Sequence, residues 1–359
     1  MTESLTDSSP QRSPVVELGG FHQYRERPVN KIPSHLRIAA IVPCHNEEIT
    51  VAKVVTDLRA AVPGMTVYVY DNNSTDRTVE EALAAGAVVR HEYFKGKGNV
   101  IRRAFSDIEA DVYVTIDGDD TYEAADLPAM ISLLLEGPYD HILGVRQDTQ
   151  ETSSYRPGHK SGNQMFNHLT SRLFNSHVTD MLSGYRVFSR RFVKSFPAIS
   201  KRFEIETELT VHMMALRLPC AEHPVGFRDR PNGSESKLST FGDGFRILCL
   251  IAQLVQHERP RLYYGTLMIL FALLSLVLGV PVIFEFFGTG LVPRFPTAFL
   301  AATLMVIAFL FGTIGLVIDG IRRGRRETAR LHYLSLEAVA PVRPEPRGDA
   351  AAAQAGIRG

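Results

Sequence analysis

Two long uncharged stretches near the carboxyl terminus constrain the fold of this 359-residue chain more than any other feature. Gly265–Phe284 and Thr297–Ile318 each run for about twenty residues without a charged side chain. A helix rises 1.5 Å per residue, so either stretch is long enough to cross the hydrocarbon core of a bilayer, about 30 Å thick. We therefore predict two transmembrane helices, at about 265–285 and 297–318, rather than two buried helices of a soluble protein.

Arginines flank this predicted hairpin on both sides. Arg259 and Arg261 precede it, and four more follow it, at Arg322, Arg323, Arg325 and Arg326. Because positively charged flanks tend to stay on the cytoplasmic side of a membrane, both flanks are expected there. The prediction is a protein of the cytoplasmic (inner) membrane with two spans, whose remaining domain and both termini lie in the cytoplasm.

Charge and cysteine content exclude several classes of protein. The 39 Lys and Arg residues balance 39 Asp and Glu residues, which argues against a strongly basic nucleic-acid binder and against an acidic disordered chain. The three cysteines, Cys44, Cys220 and Cys249, form no C-x-x-C pair, so neither a disulfide framework nor a zinc ribbon is expected. We interpret them as reduced, buried residues.

The region before the hairpin alternates between strand-like and helix-like segments. Short apolar runs, at 36–43, 65–71, 87–92, 111–117 and 141–146, are separated by segments with apolar residues at helical spacing. This alternation is typical of an α/β domain with a mostly parallel, Rossmann-like sheet and helices on both faces. Ligands of such sheets bind beyond the carboxyl ends of the strands, so polar residues at those ends are the candidates for a site.

These patterns divide the chain into five segments. Residues 1–33 are polar and rich in Ser and Pro and predict a disordered tail, whereas residues 34–238 form the α/β domain. Residues 239–262 have apolar side chains at helical spacing, which fits either amphipathic helices at the membrane interface or a helix packed on the soluble domain. Residues 263–319 hold the two spans, and 320–359 are expected to be a basic, disordered tail.

The strongest chemical signal is the turn Asp117-Gly118-Asp119-Asp120, hereafter the DGDD turn, which follows the fourth predicted strand. Two carboxylates one residue apart can hold a hard divalent cation through oxygen. Mg²⁺ commonly takes one or two carboxylates together with substrate phosphates. The turn therefore predicts binding of a metal–diphosphate complex, although acidic turns also occur for purely structural reasons.

Polar residues also follow the first three predicted strands. Pro43–Glu48 and Asp71–Asp76 place acceptors at helix starts, where Asp71 and Glu47 could contact a nucleoside, while Asn46, Ser74 and Asp76 are predicted to be helix caps. The loop Lys95–Asn99 has glycines that permit close backbone approach, and Lys97 could reach a phosphate there.

Taken in order, PCHNEE, DNNSTD, GKGN and DGDD resemble the motifs of family 2 glycosyltransferases, which have the GT-A fold. Further motifs (GVR at 144–146, SGN at 161–163, Asp180 before SGYR at 183–186, FEIE at 203–206 and GSESK at 233–237) resemble the polyprenyl-phosphate glycosyltransferases. That group includes dolichol-phosphate mannose synthase and bacterial undecaprenyl-phosphate glucosyltransferases. The resemblance covers roughly residues 38–318.

The resemblance implies roles for particular residues. Pro43, Glu47 and Asp71 would contact the nucleoside, and Asp117 and Asp119 would hold the diphosphate through Mg²⁺ or Mn²⁺. The mannose synthases often have glutamine as a third ligand where this chain has Thr121, which leaves Asp120 or water for that position. Asp180 would face the metal or the reaction centre, and together with Asp119 and Arg146 it forms the predicted catalytic set. The predicted contacts to the acceptor phosphate are Arg146, Arg156, Lys160, Ser161 and Lys237.

The implied activity is a metal-dependent, inverting transfer of a hexose from a UDP- or GDP-linked sugar to undecaprenyl or dolichyl phosphate, in cell-envelope glycan biosynthesis. Relatives often form tetramers, and no nucleic-acid partner is expected. Two alternatives stay open: a saccharide or protein acceptor, and a membrane-tethered pseudo-enzyme that only binds nucleotide. A processive polysaccharide synthase is disfavoured because such enzymes usually have a Gln-x-x-Arg-Trp motif and this chain has no tryptophan. Arg186 and Glu206 are candidates for a structural ion pair.

Overall fold

The computed structural model describes residues 17–18, 21–23, 32–137, 139–148, 178–198, 204–228, 256 and 259–339. These residues belong to two compact units, one with the strands and the shorter helices and one with two long helices. The strands are β1 Glu17–Leu18, β2 Phe21–Gln23, β3 Ile38–Cys44, β4 Thr66–Asp71, β5 Val88–His91, β6 Val112–Thr115, β7 His141–Asp148, β8 Arg186–Ser189 and β9 Cys220–Phe227. The shorter helices are α1 Val51–Ala61, α2 Thr78–Ala84, α3 Lys97–Asp107, α4 Leu127–Glu136, α5 Arg190–Ser195 and α6 Glu204–Leu216.

The described strands form one mixed sheet in the order β1-β2-β9-β7-β8-β6-β3-β4-β5. Neighbours from β6 to β5 are parallel, as are β7, β9 and β2, whereas β8 runs antiparallel to both β6 and β7. The predicted α/β class with a mostly parallel sheet is confirmed, and all five predicted strands are present. The central antiparallel strand β8 was not predicted, because its four residues are too few for a periodic signal.

Apolar residues at the predicted spacing pack the helices on the sheet. Every residue of β3 except Pro43 is buried, as a strand covered on both faces must be. Helix α1 buries Val51, Val54, Val55 and Leu58 along one face, at the i, i+3, i+4, i+7 spacing of an amphipathic helix. The predicted buried state of Cys44 and Cys220 is confirmed, while Cys249 lies outside the described residues.

The amino-terminal segment departs from the predicted disordered tail. Within residues 1–33, β1 and β2 are strands, and β2 pairs in parallel with β9, which would otherwise be at the edge of the sheet. An exposed strand edge presents unpaired N–H and C=O groups, which recruit an extended segment whatever its side chains are. The composition of this segment therefore gave no sign of its strands.

The second unit contains α7 Pro260–Thr289 and α8 Phe295–Leu334, both long and apolar enough to cross a membrane. In the most apolar part of each helix only 11% and 22% of the residues, respectively, are buried, so most of these side chains face outward. The two helices contact each other directly, and Ser275 Oγ donates a hydrogen bond to the carbonyl of Ala301 (2.7 Å). Both helices confirm the apolar hairpin read from the sequence.

Helix α8 continues well beyond the predicted end of the second span. The expectation of a disordered tail from residue 320 is therefore wrong for residues 320–334. Arg322 and Arg323 pair with Asp319 one turn earlier (2.8 and 2.9 Å), which supports the helix across this charged segment. Of the predicted interfacial helices at 239–262, residues 239–255 and 257–258 lie outside the described part of the chain.

Candidate active site

The carboxyl ends of β3 and β4 meet in register, with Cys44 opposite Asp71. The side chain of Asn72, the next residue, organises the loop before α3. Its amide donates to the carbonyls of Glu92 and Phe94 (2.8 and 2.9 Å), and its oxygen accepts from the N–H of Gly96 (2.6 Å). Asn72 thereby places the start of α3 beside the ends of the parallel strands. Asn72 was not predicted to have a role, because a single Asn in a turn is unremarkable.

The polar residues after β3 and β4 join the two loops to each other. Asn46, at φ +56°, accepts from the N–H of Thr75 (2.8 Å) and donates its own N–H to Ser74 Oγ (3.0 Å). Asp76 accepts from the N–H of Thr78 at the start of α2 (3.1 Å), the capping contact expected of it. Asn46 and Ser74 were also predicted to be caps; they connect the loops instead.

The residues predicted to contact a nucleoside lie on this edge of the sheet. Pro43 is the penultimate residue of β3, and Glu47 is buried in the loop that follows. Asp71 ends β4, where its carboxylate accepts from the N–H of Ser74 (3.1 Å) and lies 3.3 Å from His91 Nδ1. All three residues therefore lie at the carboxyl-terminal ends of the parallel strands, where ligands of such sheets bind.

The DGDD turn is fixed against the end of β3. Thr50 Oγ1 donates to the carbonyl of Gly118 (2.7 Å). A Cβ atom at Gly118 would lie 2.5 Å from Cys44 Sγ, so no larger residue fits between the turn and the strand. Asp119 is buried, and Thr121 Oγ1 donates to its Oδ1 (2.7 Å). Thr121 therefore orients Asp119 rather than replacing the glutamine of the mannose synthases.

Asp120 has a different environment from its neighbours on the turn. Its Oδ1 accepts from Lys53 Nζ (2.9 Å) and from Arg228 Nη2 (2.7 Å). Two cations on one carboxylate oxygen make Asp120 an anchor for the turn. This arrangement does not support the expectation that Asp120 is a third metal ligand.

Lys97, the first residue of α3, connects the turn to α6. Its ammonium contacts Asp117 Oδ1 and lies 2.5 Å from Glu206 Oε1. Only 11% of the Lys97 side chain and 7% of the Glu206 side chain is exposed. Burial alone would lower the pKa of Lys97, but the charges of Asp117 and Glu206 outweigh it and raise that pKa, so the ammonium stays charged.

A glycine of the SGYR motif lets Asp117 and Lys97 pack closely against its backbone. A Cβ atom at Gly184 would lie 2.5 Å from Asp117 Oδ2 and 2.9 Å from Lys97 Nζ. The N–H of Gly184 donates to Tyr122 Oη (3.0 Å), and Thr115 Oγ1 donates to its carbonyl (3.1 Å). Burial raises the pKa of Tyr122 to about 12, which keeps the phenol neutral. The part played by Tyr122 was not predicted, because a lone tyrosine after an acidic turn has no signature.

Arg146 and Asp180 form a two-pronged ion pair at the end of β7. Arg146 Nε and Nη2 each donate to one carboxylate oxygen of Asp180 (2.7 Å both), and the guanidinium lies 5.3 Å above the ring of Phe227. Asp180 was expected to face a metal and Arg146 an acceptor phosphate. The structure brings the two together, so each one positions the other.

Arg186 is fully buried but does not pair directly with Glu206, so that expectation is wrong. It donates to the carbonyls of Ser183 and Met181 (2.8 and 2.7 Å) and to Thr210 Oγ1 (2.8 Å). Burial lowers the pKa of Arg186 to about 10. The carbonyls hold the SGYR segment in place, whereas Glu206 is engaged by Lys97.

Four predicted contacts to the acceptor phosphate, Arg156, Lys160, Ser161 and Lys237, lie outside the described residues. Within the described residues, no three His, Cys, Asp or Glu side chains are grouped closely enough to hold a metal ion by themselves. The carboxylates of Asp117 and Asp119 are hard oxygen donors, and Gly184 lets the Asp117 carboxylate pack closely against its backbone. This donor set fits Mg²⁺ or Mn²⁺ completed by substrate phosphates.

Comparison with known proteins agrees with this geometry. The profile of glycosyl transferase family 2 matches residues 39–196. An uncharacterized protein of Shigella flexneri is 49% identical over 155 residues, which are 43% of this chain and 95% of that protein. Glycosyltransferase AglJ of Haloferax volcanii is 33% identical over 236 residues, covering 66% of this chain and 77% of AglJ.

A second Haloferax volcanii protein, a dolichyl-phosphate hexose transferase, is 29% identical over 225 residues, 63% of this chain and 96% of its own. Among solved structures, glucosyl-3-phosphoglycerate synthase of Mycobacterium tuberculosis, in complex with Mn²⁺, UDP and glucosyl-3-phosphoglycerate, has the same fold. Its TM-score is 0.54 at 22% identity, covering 65% of this chain and 86% of that one. With the family profile and a relative that is matched over more than two thirds of its length, the chain belongs to glycosyl transferase family 2 and is a glycosyltransferase.

Proposed function

We propose that this glycosyltransferase moves a hexose from a nucleotide-diphosphate sugar, UDP- or GDP-linked, to a polyprenyl phosphate such as undecaprenyl or dolichyl phosphate. One observation carries the proposal: the same chain contains both the DGDD turn and two outward-facing apolar helices. The dolichyl-phosphate hexose transferase of Haloferax volcanii supports a lipid acceptor.

The donor side consists of the strand ends around the DGDD turn. Pro43, Glu47 and Asp71 would contact the nucleoside, Lys97 the diphosphate, and Asp117 and Asp119 a divalent cation bound to that diphosphate. When bound, Mg²⁺ or Mn²⁺ neutralises the charge that develops on the leaving nucleotide diphosphate. The Mn²⁺ and UDP bound to the mycobacterial synthase support such use of a metal.

The acceptor side centres on Arg146. Its guanidinium is held by Asp180, and 21% of the Arg146 side chain is exposed. Arginine is well suited to a phosphate because its planar fork can donate two parallel hydrogen bonds. Arg156, Lys160, Ser161 and Lys237 would complete the contacts to the acceptor phosphate.

The chemistry needs little proton transfer. A phosphomonoester has a second pKa near 6, so the acceptor is mostly a dianion at neutral pH and attacks the anomeric carbon without a general base. Asp180 therefore positions Arg146 rather than abstracting a proton. Attack from the face opposite the leaving group inverts the anomeric configuration. The cations Arg146 and Lys97 offset the repulsion between two phosphate-bearing substrates.

The two long helices would hold the enzyme in the cytoplasmic membrane. Their arginine-rich flanks favour an orientation with both termini and the catalytic unit in the cytoplasm. In that orientation, the enzyme meets a soluble nucleotide sugar and the headgroup of a membrane lipid on the same side of the bilayer.

A donor panel tests the proposal. The full-length protein in detergent is incubated with labelled UDP- and GDP-hexoses, with and without undecaprenyl phosphate, and with Mg²⁺, Mn²⁺ or EDTA. We expect label in the organic phase with at least one donor, only when both lipid and divalent cation are present. Label that stays in the aqueous phase with every donor would contradict the lipid acceptor.

The mycobacterial synthase, whose product is glucosyl-3-phosphoglycerate, gives a reason to keep a second candidate: a non-lipid, phosphate-bearing acceptor. The same panel separates the two, because a soluble product carries the label into the aqueous phase. Nucleotide binding without any transfer would favour the pseudo-enzyme instead.

A further inference from the structure

The buried contact between Lys97 and Glu206 is not explained by the donor site as proposed above. Lys97 Nζ contacts Asp117 and lies 2.5 Å from Glu206 Oε1, while Glu206 Oε2 is buried and has no hydrogen-bond partner in the described part of the chain. One ammonium is thus shared between two carboxylates, one of them on the DGDD turn. A buried carboxylate oxygen without a hydrogen-bond partner lowers the stability of the folded protein, so its presence calls for an explanation.

We infer that Glu206 is a positioning residue, which holds the ammonium of Lys97 at the DGDD turn so that it can pass from Asp117 to the donor diphosphate. The inference rests on the proposed donor site. A divalent cation on Asp117 repels the ammonium, and Glu206 keeps that ammonium beside the turn instead of letting it leave. The second carboxylate oxygen of Glu206, Oε2, is also buried.

The chemistry of lysine suits this exchange. An ammonium is a compact point charge on a flexible stem and can change partners with a small movement. Gly184 permits the contact, because a Cβ atom there would lie 2.5 Å from Asp117 Oδ2 and 2.9 Å from Lys97 Nζ, so only glycine lets both groups pack this closely.

A purely structural role is the competing explanation, since the same contact joins α3 to α6. Melting curves test that explanation, whereas direct electrostatics and positioning of Lys97 predict opposite signs for one effect. Neutralising Glu206 removes a negative charge near the diphosphate, which by direct electrostatics would strengthen nucleotide binding. If Glu206 acts by positioning Lys97, the same change must weaken it.

The experiment measures UDP and GDP binding to full-length protein in detergent with saturating Mn²⁺, by calorimetry. For whichever nucleotide binds, we expect Lys97→Ala and Glu206→Gln each to weaken binding by about tenfold, the loss of one charge-assisted hydrogen bond. In the Lys97→Ala background, Glu206→Gln should weaken binding no further, because Glu206 acts through Lys97. Arg103→Ala, which removes an exposed cation from Asp107 on the same helix as Lys97, is the matched control and should change the affinity less than about twofold.

Mn²⁺ alone provides an independent readout by electron paramagnetic resonance. Lys97→Ala should bind Mn²⁺ more tightly than the wild type without nucleotide, because the competing ammonium is gone. The inference is overturned if Glu206→Gln leaves nucleotide affinity unchanged or raised, or weakens it equally in both backgrounds. Failure of the proposed function looks different: the wild type would then bind neither nucleotide. Melting curves of each variant identify any loss of affinity caused by unfolding.

Discussion

Two ion pairs of the candidate site are built from different cations. On the proposed donor side, the ammonium of Lys97 is shared between Asp117 and Glu206. On the proposed acceptor side, the guanidinium of Arg146 is held by two parallel hydrogen bonds to Asp180. A shared ammonium can change partners, whereas a two-pronged guanidinium keeps its orientation. The comparison suggests a donor side that rearranges when substrate binds and an acceptor side that is preformed.

The largest effect is expected from neutralising Asp117. Asp117→Asn loses both a metal ligand and a partner of Lys97, so kcat/KM should fall by about a thousandfold or more, as several kcal/mol of charge stabilisation disappear. Asp57→Asn, in an exposed pair with Lys53, is the control and should keep nearly full activity. Comparable activity in the two variants would place the metal elsewhere.

Breaking the acceptor side should affect a different kinetic constant. Arg146→Lys keeps the charge but not the fork, so we expect KM for the lipid phosphate to rise by about tenfold or more while KM for the donor stays within about twofold. Asp180→Asn should act in the same direction by releasing the guanidinium. Steady-state kinetics with each substrate varied in turn measures this split. An unchanged acceptor KM and rate in Arg146→Ala would remove Arg146 from the site.

The close packing of Gly184 against Asp117 gives a test that removes no charge. A Cβ atom in Gly184→Ala would meet Asp117 Oδ2 at 2.5 Å, so the carboxylate and Lys97 must shift. We expect donor affinity to fall by about tenfold, with a smaller effect on acceptor KM, because Asp180 keeps its own contacts with Arg146. Gly265→Ala in α7, where a Cβ would contact nothing, should be neutral. Equal effects on both substrates would show that the two sides do not act separately.

The smallest effect concerns acid stability, to which two histidines of the core contribute. Burial lowers the pKa of His212 to about 4 and that of His141 well below its usual value. A histidine with a depressed folded-state pKa binds its proton first in the unfolded state, so stability is full above pH 6.5 and falls as the pH decreases toward 4. For His212 this amounts to about 2 kcal/mol between pH 7 and pH 5.

Thermal melts followed by circular dichroism at pH 7 and pH 5 check this expectation. His212→Gln should reduce the difference between the two melting temperatures, whereas His35→Gln, at an exposed position, should leave it as in the wild type. If both variants keep the wild-type difference, acid sensitivity arises from other groups.

Much of the fold followed from periodicity, but the partners within the site did not. The five strands and the apolar hairpin have strong local signals, since strand ends and uncharged stretches are visible in the order of residues alone. The ion-pair partner found for Glu206 differs from the expected one. Glu206 was paired with Arg186 from the sequence, but the carbonyls of Ser183 and Met181 satisfy Arg186, and Lys97 takes Glu206.

Such choices depend on which groups are desolvated together, which no spacing rule encodes. The antiparallel strand β8 and the amino-terminal strand β2 were missed for a related reason: backbone groups of distant segments complete the sheet there. The position of Asp120 is another example, because Lys53 and Arg228 reach it from opposite ends of the domain sequence.

The most direct test of the account compares wild type with Asp119→Asn for transfer of labelled hexose to undecaprenyl phosphate in isolated membranes. Both proteins must be present in the membrane fraction in equal amounts. The account predicts cation-dependent label in the lipid extract of the wild type and a loss of about a hundredfold or more in the variant. Undiminished lipid labelling by Asp119→Asn would contradict it.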